Sequence, residues 1–268
     1  MTPQPVIELT WVQVALTLVL IAVVVVVGAA LRLRLARSIC VATLRAIVQL
    51  FAVGLVIGWV FGRDTWGWVL LLLAAMTVVA GITAARRTSV NVRWLSSIFT
   101  AVLGAATGAT LLYTTVVILR VDGWDPRYLI PLGGMMLGNA MTAAALAVER
   151  LVNDLKHGAR DVEALLAMGA EPARTVRPML RAAVRAALTP TINTMMVVGI
   201  VQLPGMMTGQ ILGGTDPLQA AMYQFLILAA IACCATLAAA VTSELLYRRF
   251  FNAAWQLDTA ALEALQLD

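Results

Sequence analysis

Asn139, Asn193 and Gln202 stand within otherwise apolar runs, and those same runs hold Met135, Met136, Met141, Met195, Met196, Met206 and Met207, seven of the chain's twelve methionines. An amide surrounded by hydrocarbon needs hydrogen-bond partners, so each is expected to face another helix or a pathway. Thioether sulfur and amide oxygen are soft, neutral donors that suit a metal ion or its complex in passage. Methionine beside glycine also fills gaps between packed helices, and that reading stands next to the first. At helical spacing Met195, Gly199, Gln202 and Met206 share one face, and Asn139 shares a face with Met135 and Met136. The candidate translocation path is therefore Asn139, Asn193, Gln202, Met135, Met195 and Met206, with Gln49 and Glu149 as lesser candidates.

Other reactive residues lead nowhere. Cys40, Cys233 and Cys234 lie in or beside apolar stretches without zinc-type spacing, and read as small buried hydrophobes. The single His157 reads as solvated and cannot build a multi-histidine metal site. No catalytic pair is visible, and the ligands of any metal stay unknown. No GxxxxGK[ST] occurs, and the one lysine, Lys156, follows no glycine loop. The expectation is a chain that is not an enzyme, binds no cofactor itself, and relies on another polypeptide if ATP drives it.

Composition names the solvent of the elements that must position these groups. Hydrophobic residues make up 61% of the 268, charged residues 12%, and the mean hydropathy is +0.90. A soluble domain carries roughly 25% charged residues. Charge-free stretches run over 9–31, 46–62, 65–85, 94–119, 128–148, 186–215 and 217–243. A bilayer core takes about 20 apolar residues as helix. The 17 residues of the second stretch can borrow a turn at its end, where Arg45 snorkels to the headgroups. Helix is the form that satisfies the backbone in lipid at this length. The prediction is an all-α integral membrane protein, multi-pass in the cell (inner) membrane, with about seven transmembrane helices. One permease domain covers 9–248, with spans at about 11–31, 44–61, 66–85, 95–119, 128–148, 187–204 and 217–247; a cytoplasmic loop covers 149–186 and a cytoplasmic tail 249–268.

Arginine and lysine set the orientation. Fifteen of the nineteen fall in one set of loops, three (Arg63, Arg120, Arg127) in the other, and Arg45 sits at a span end. The positive-inside rule then puts the N-terminus outside and the C-terminus in the cytoplasm. The net charge of +5 and pI near 9.6 are thus an orientation signal and not a nucleic-acid footprint. Trp11, Trp59, Trp66, Trp68 and Trp124 fall at the outer boundaries, where an aromatic belt belongs. The N-terminal ten residues hold no Lys or Arg, so the first stretch reads as a mature span.

The fifth and sixth spans are rich in glycine and proline, as PLGGMMLGNAM (131–141) and TPTINTMMVVGIVQLPGMMTGQILGG (189–214). Pro204 and Gly205 are expected to end the sixth helix early, leaving 206–215 as a short re-entrant or outer-surface segment. The loop between these spans predicts a helix over 159–168 with Val162, Leu165, Leu166 and Gly169 on a narrow face. Gly169 can close it in a left-handed cap, and Pro172 stops continuation. Such a helix can lie on headgroups or dock into a groove on a cytoplasmic partner.

Glu163, Ala164 and Gly169 match the E-A-A-x-x-x-G pattern of the EAA loop in ABC-transporter permeases, with Leu165 at the third position; Met179, Arg181 and Ala182 depart from it downstream. Over roughly 12–250 the chain resembles the FetB-like family of ABC permeases, which includes plant aluminium-tolerance membrane proteins. The stretches that carry the resemblance are LRAIVQLFAVGLVIGWVF (44–61), MTVVAGITAARRT (76–88), PLGGMMLGNAMTAA (131–144), EALLAMGAEP (163–172) and INTMMVVGIVQLPGMMTGQILGGTDPLQAAMYQ (192–224). The resemblance implies a permease homodimer in the lipid bilayer, working with a separate cytoplasmic ABC ATPase that holds the ATP, and in bacteria a link to iron export. It implies Glu163, Ala164, Leu165 and Gly169 as the residues coupling to the ATPase. No nucleic acid is expected as a partner.

A secondary transporter of a small solute, working without an ATPase, is the rival. Broken spans are its usual sign. It also needs a coupling-ion site, and no Asp or Glu lies inside the charge-free stretches. A membrane scaffold would leave the capped loop helix and the intramembrane amides unexplained.

Overall fold

The structure is a computed structural model that describes residues 10–32, 36–62, 66–88, 90, 93–120, 125–252 and 254–257. Arg34, Arg63, Trp124 and the tail beyond 257 lie outside the described residues. The chain is all-α: nine α-helices are described, with no strand among the described residues. Six are long and apolar enough to cross a membrane. The protein is a multi-pass membrane protein.

The chain divides into two compact units. The first holds α1 (Trp11–Ala30) and α2 (Ala36–Phe61). Thr10 and Gln13 form a capping box at the start of α1, satisfying donors that lipid cannot. Trp11 stacks on Phe51 with ring centroids 5.7 Å apart. Their outward surfaces are Val, Leu and Phe, the surface a lipid-facing helix carries.

The second unit holds α3 (Trp66–Arg87), α4 (Arg93–Leu112), α5 (Pro126–His157), α6 (Ala159–Ala167), α7 (Pro172–Val197) and α9 (Pro217–Tyr247). The short α8 (Gly205–Leu212) follows α7 in chain order, and its residues from Gln210 on belong to the first unit. α5 is the axis, packing against α3, α4, α7 and α9. Fifteen of its 32 residues are buried, so neighbours cover it on most sides. Lipid gives no hydrophobic drive for helices to associate, so close backbone approach must hold them. The sequence provides it as alanine: Ala143 and Ala147 of α5, Ala187 of α7, and Ala235 and Ala239 of α9 form one buried seam. Between α3 and α4 the close approach is at Gly81, where an added Cβ would stand 2.8 Å from the backbone nitrogen of Thr100.

Helix starts follow a repeated local rule. Asp125 and Asp216 cap α5 and α9, each followed by proline at the first helical position. Asp125 accepts from the Arg127 amide at 2.9 Å; Asp216 accepts from Leu218 and Gln219 at 2.9 and 3.2 Å. Glu171 and Pro172 open α7 with the same order of residues but without the side-chain bond.

Two departures from regular helix matter. α4 runs into a π-helical turn, Tyr113–Ile118, closed by the Leu119 amide donating to the Thr114 carbonyl at 2.9 Å. The Thr114 and Thr115 hydroxyls donate to the carbonyls of Thr110 and Leu111, both at 2.8 Å, and so compete for the ladder's acceptors. α7 ends at Val197, seven residues before the expected end of the sixth span at 204. The reason is Gly199, whose φ of 82° lies in the left-handed region. Its amide donates to the Gln202 carbonyl at 2.9 Å, folding 198–202 into a turn. The expected common face of Met195, Gly199, Gln202 and Met206 therefore does not exist: Met195 is on α7, Gly199 and Gln202 are in the turn, and Met206 is on α8.

The cysteines are free, and only Cys234 is buried, its sulfur 3.4 Å from the Thr107 hydroxyl. Cys40 and Cys233 are exposed on the chain, which corrects the expectation of three buried residues. Consecutive helical residues point about 100° apart, so Cys233 and Cys234 cannot both face one neighbour.

Candidate functional site

The predicted loop helix is present as α6, and its stop is a complete Schellman motif. The Ala170 amide donates to Leu165 carbonyl at 3.0 Å, the Gly169 amide donates to Leu166 carbonyl at 2.9 Å, and Gly169 has φ 86°. Val162 is buried and anchors the helix to the bundle; Leu166 is half-buried behind it. Leu165 does not join them. It is exposed with Glu163, Ala164 and Met168, and Met168 is 75% exposed. The narrow face is thus Val162 and Leu166, four residues apart, and Leu165 lies 100° off it. α6 is held on one side, fixed at its end, and presents Glu163, Leu165 and Met168 outward.

The six candidate path residues are spread over α5, α7, the 198–202 turn and α8. Asn139 is exposed on α5, its amide nitrogen donating to the Met135 carbonyl at 2.9 Å. Met135 is half-buried beside it, whereas Met136 is fully buried in the core. Asn193 and Met195 are exposed on α7, Gln202 is exposed in the turn, and Met206 is half-buried on α8. Among the described residues no three of His, Cys, Asp and Glu are grouped to hold a metal ion.

A cavity of about 520 Å3 lies between α3, α4 and α5. Leu70, Leu73, Gly104, Gly108, Leu129 and Leu137 are among its lining residues. It also reaches Thr77, Thr107 and Thr115, whose hydroxyls are already engaged by Leu73 carbonyl, Cys234 and Leu111 carbonyl. That lining is mostly apolar, with its three threonine hydroxyls in hydrogen bonds. None of the six path residues takes part.

Polar groups that the reading of 217–243 as a plain apolar stretch missed are on α9. Gln224, Thr242 and Ser243 are buried, with side-chain oxygens unpartnered among the described residues. Their polarity was visible in the sequence; their burial was not.

The family model described as "Uncharacterised protein family (UPF0014)" matches residues 11–251. The chain belongs to the UPF0014 family. Among its UPF0014 relatives, the membrane protein slr1647 of Synechocystis sp. is 40% identical over 94% of this chain and 98% of its own length. The Protein ALUMINUM SENSITIVE 3 of Arabidopsis thaliana is 34% identical over 80% of this chain and 78% of its own. The Probable iron export permease protein FetB of Escherichia coli is 31% identical over 87% and 88%. No solved structure matches the chain. The matched region takes in the six span-length helices and α6.

Proposed function

We propose that this chain is the membrane-spanning permease subunit of an ABC transporter, exporting iron or another metal, energised by a separate ATPase that docks on α6. The observation that carries the reading is α6 itself: a short helix held by Val162, stopped by Gly169, with Glu163, Leu165 and Met168 turned outward. A knob of that form fits a groove on a cytoplasmic protein. The relative named as a probable iron export permease supports the substrate. Two copies of the chain would assemble around the route, and each ATPase would move one α6. The chain would cross the membrane seven times, with the N-terminus outside and α6 in the cytoplasm. α7 follows α6 in the chain and would carry it into the membrane, so motion of the knob would be transmitted along a helix.

Gly169→Val and Glu163→Lys test this. A left-handed residue costs roughly 1–2 kcal/mol for an L side chain, and β-branching adds to it. Gly169→Val is expected to lose copurification of the ATPase while the chain still inserts. Gly169→Asn, which tolerates the left-handed region, is expected to keep it. Glu163→Lys reverses a contact charge and is expected to weaken docking. Retention of the ATPase and of full transport in both Gly169→Val and Glu163→Lys would leave α6 an interfacial helix and return the chain to the class of transporters that work alone.

A further inference from the structure

α7 carries Arg174, Arg177, Arg181 and Arg185 at spacings of three, four and four, which places them on one face. All four are exposed, and none has an ion pair among the described residues. α7 itself contains no acid from Pro172 to Val197. The opposite face, with Val176, Ala183 and Ala187, is buried.

The packing gives the stripe a direction. Met179 lies against Gly158 at the end of α5, where an added Cβ would come within 2.7 Å of its methyl carbon. Eight residues further on, Ala187 packs with Ala143 and Ala147 of α5. α7 thus runs antiparallel along α5 and does not lie flat on a membrane surface. α5 leaves its charge-free stretch at Glu149, so Arg185 is near the hydrocarbon boundary. Arg174 is eleven residues away, about 16 Å at 1.5 Å per residue. A headgroup layer is only about 5–8 Å thick on each side. The stripe therefore begins among the headgroups and ends well beyond them. In the other direction the same face continues through Thr189, Ile192 and Met196, all exposed.

A ladder of guanidinium groups leading to the membrane repels a bare divalent cation and draws an anion. Planar, bidentate donors match carboxylate and phosphate oxygens in particular. The rest of the chain agrees, since the charge-free stretches hold no carboxylate and the described residues hold no three-residue metal group. We infer that the transported species approaches along α7 as an oxyanion, a solute bearing carboxylate or phosphate groups, either free or wrapped around a metal ion. This rests on the permease reading and specifies the substrate class.

The test uses the full-length protein in phosphatidylcholine nanodiscs without an ATPase. Citrate and pyrophosphate serve as anionic probes and ferrous ion as the bare cation, with binding measured by calorimetry at low salt. Citrate or pyrophosphate is expected to bind, more weakly as salt rises, and ferrous ion alone is not. The double variant R177Q/R181Q is expected to weaken anion binding at least tenfold; R177K/R181K, which keeps the charge, is expected to lose much less. Gel filtration verifies that each variant is folded, and R177Q alone serves if the double variant is not. Equal anion binding by R177Q/R181Q and the unmodified protein overturns the inference. So does binding of ferrous ion without any anion binding. If R177Q/R181Q keeps anion binding and loses only ATPase copurification, the stripe is a protein-docking face and the inference fails. Because the ATPase is absent from the binding measurement, failure here leaves the permease reading to the α6 variants.

Discussion

Met135 and Met136 are neighbours in the chain and do different things. Met136 is sealed in the core of α5, where its flexible thioether fills space among packed helices. Met135 is half-buried beside the exposed Asn139, whose amide it receives on its carbonyl. Met195 is 37% exposed on α7, and Met206 is half-buried on α8. A route for substrate needs side chains that are not already enclosed by the subunit, so Met135, Met195 and Met206 qualify and Met136 does not. Replacing the three together with leucine is roughly volume-conserving, with a cost usually under about 1.5 kcal/mol per site. The expected outcome is reduced transport with melting temperature nearly unchanged; measuring both in the same membranes separates a route from packing. Unaltered transport would assign the three to packing.

Helices here are held by small residues, and among the described glycines the closest approach to another helix is at Gly81, between α3 and α4. A methyl group there would stand 2.8 Å from both the nitrogen and the Cα of Thr100. Those are backbone atoms, so relief requires moving a helix and not a side chain. Gly81→Ala is expected to destabilise the second unit by about 1–3 kcal/mol, the usual cost of overpacking, despite alanine's better helix propensity. A lowered aggregation temperature in detergent would show it; an unchanged or raised one would mean that α3 and α4 separate freely. By contrast, Gly108 has nothing within 4 Å of an added Cβ and opens onto the cavity. The two glycines have opposite roles, one allowing contact and the other leaving volume.

The whole molecule combines six helices of span length with α7, a helix of another kind. α7 is basic from Arg174 to Arg185 and charge-free for only its last twelve residues, 186–197. Twelve residues reach about 18 Å at 1.5 Å per residue, less than the roughly 30 Å of hydrocarbon. The turn at 198–202 and α8 would have to complete the crossing, buried against protein or facing a wet cavity. A seven-span arrangement makes positions 122 and 215 outside residues. Single cysteines at those positions, in a background lacking Cys40, Cys233 and Cys234, are expected to react with an impermeant maleimide in intact cells. Reaction only after permeabilisation would reverse the orientation or remove a crossing.

The sequence by itself determined the solvent, the class and the local punctuation. Charge-free length selects the bilayer, and the bilayer selects helix, because each backbone group must be satisfied within its own segment. Asp125 with Pro126, Asp216 with Pro217, and Gly169 with Pro172 mark starts and stops through bonds to residues a few positions away. These are local effects, and α6 was legible for that reason. Tertiary structure decided where the side chains go. Spacing puts Leu165 on the face of Val162, and packing leaves it outside that face; spacing puts Gly199 on a helix face, and its left-handed φ puts it in a turn. Met136 and Met135 could not be told apart by spacing, nor could the buried Thr242 and Ser243 be told from lipid-facing ones. In a chain this uniformly apolar the hydrophobic period carries little information, since both sides of a helix are apolar whether they meet protein or lipid. Which side is covered depends on close contacts such as the alanine seam, made between residues up to a hundred positions apart, and only the packed molecule fixes them.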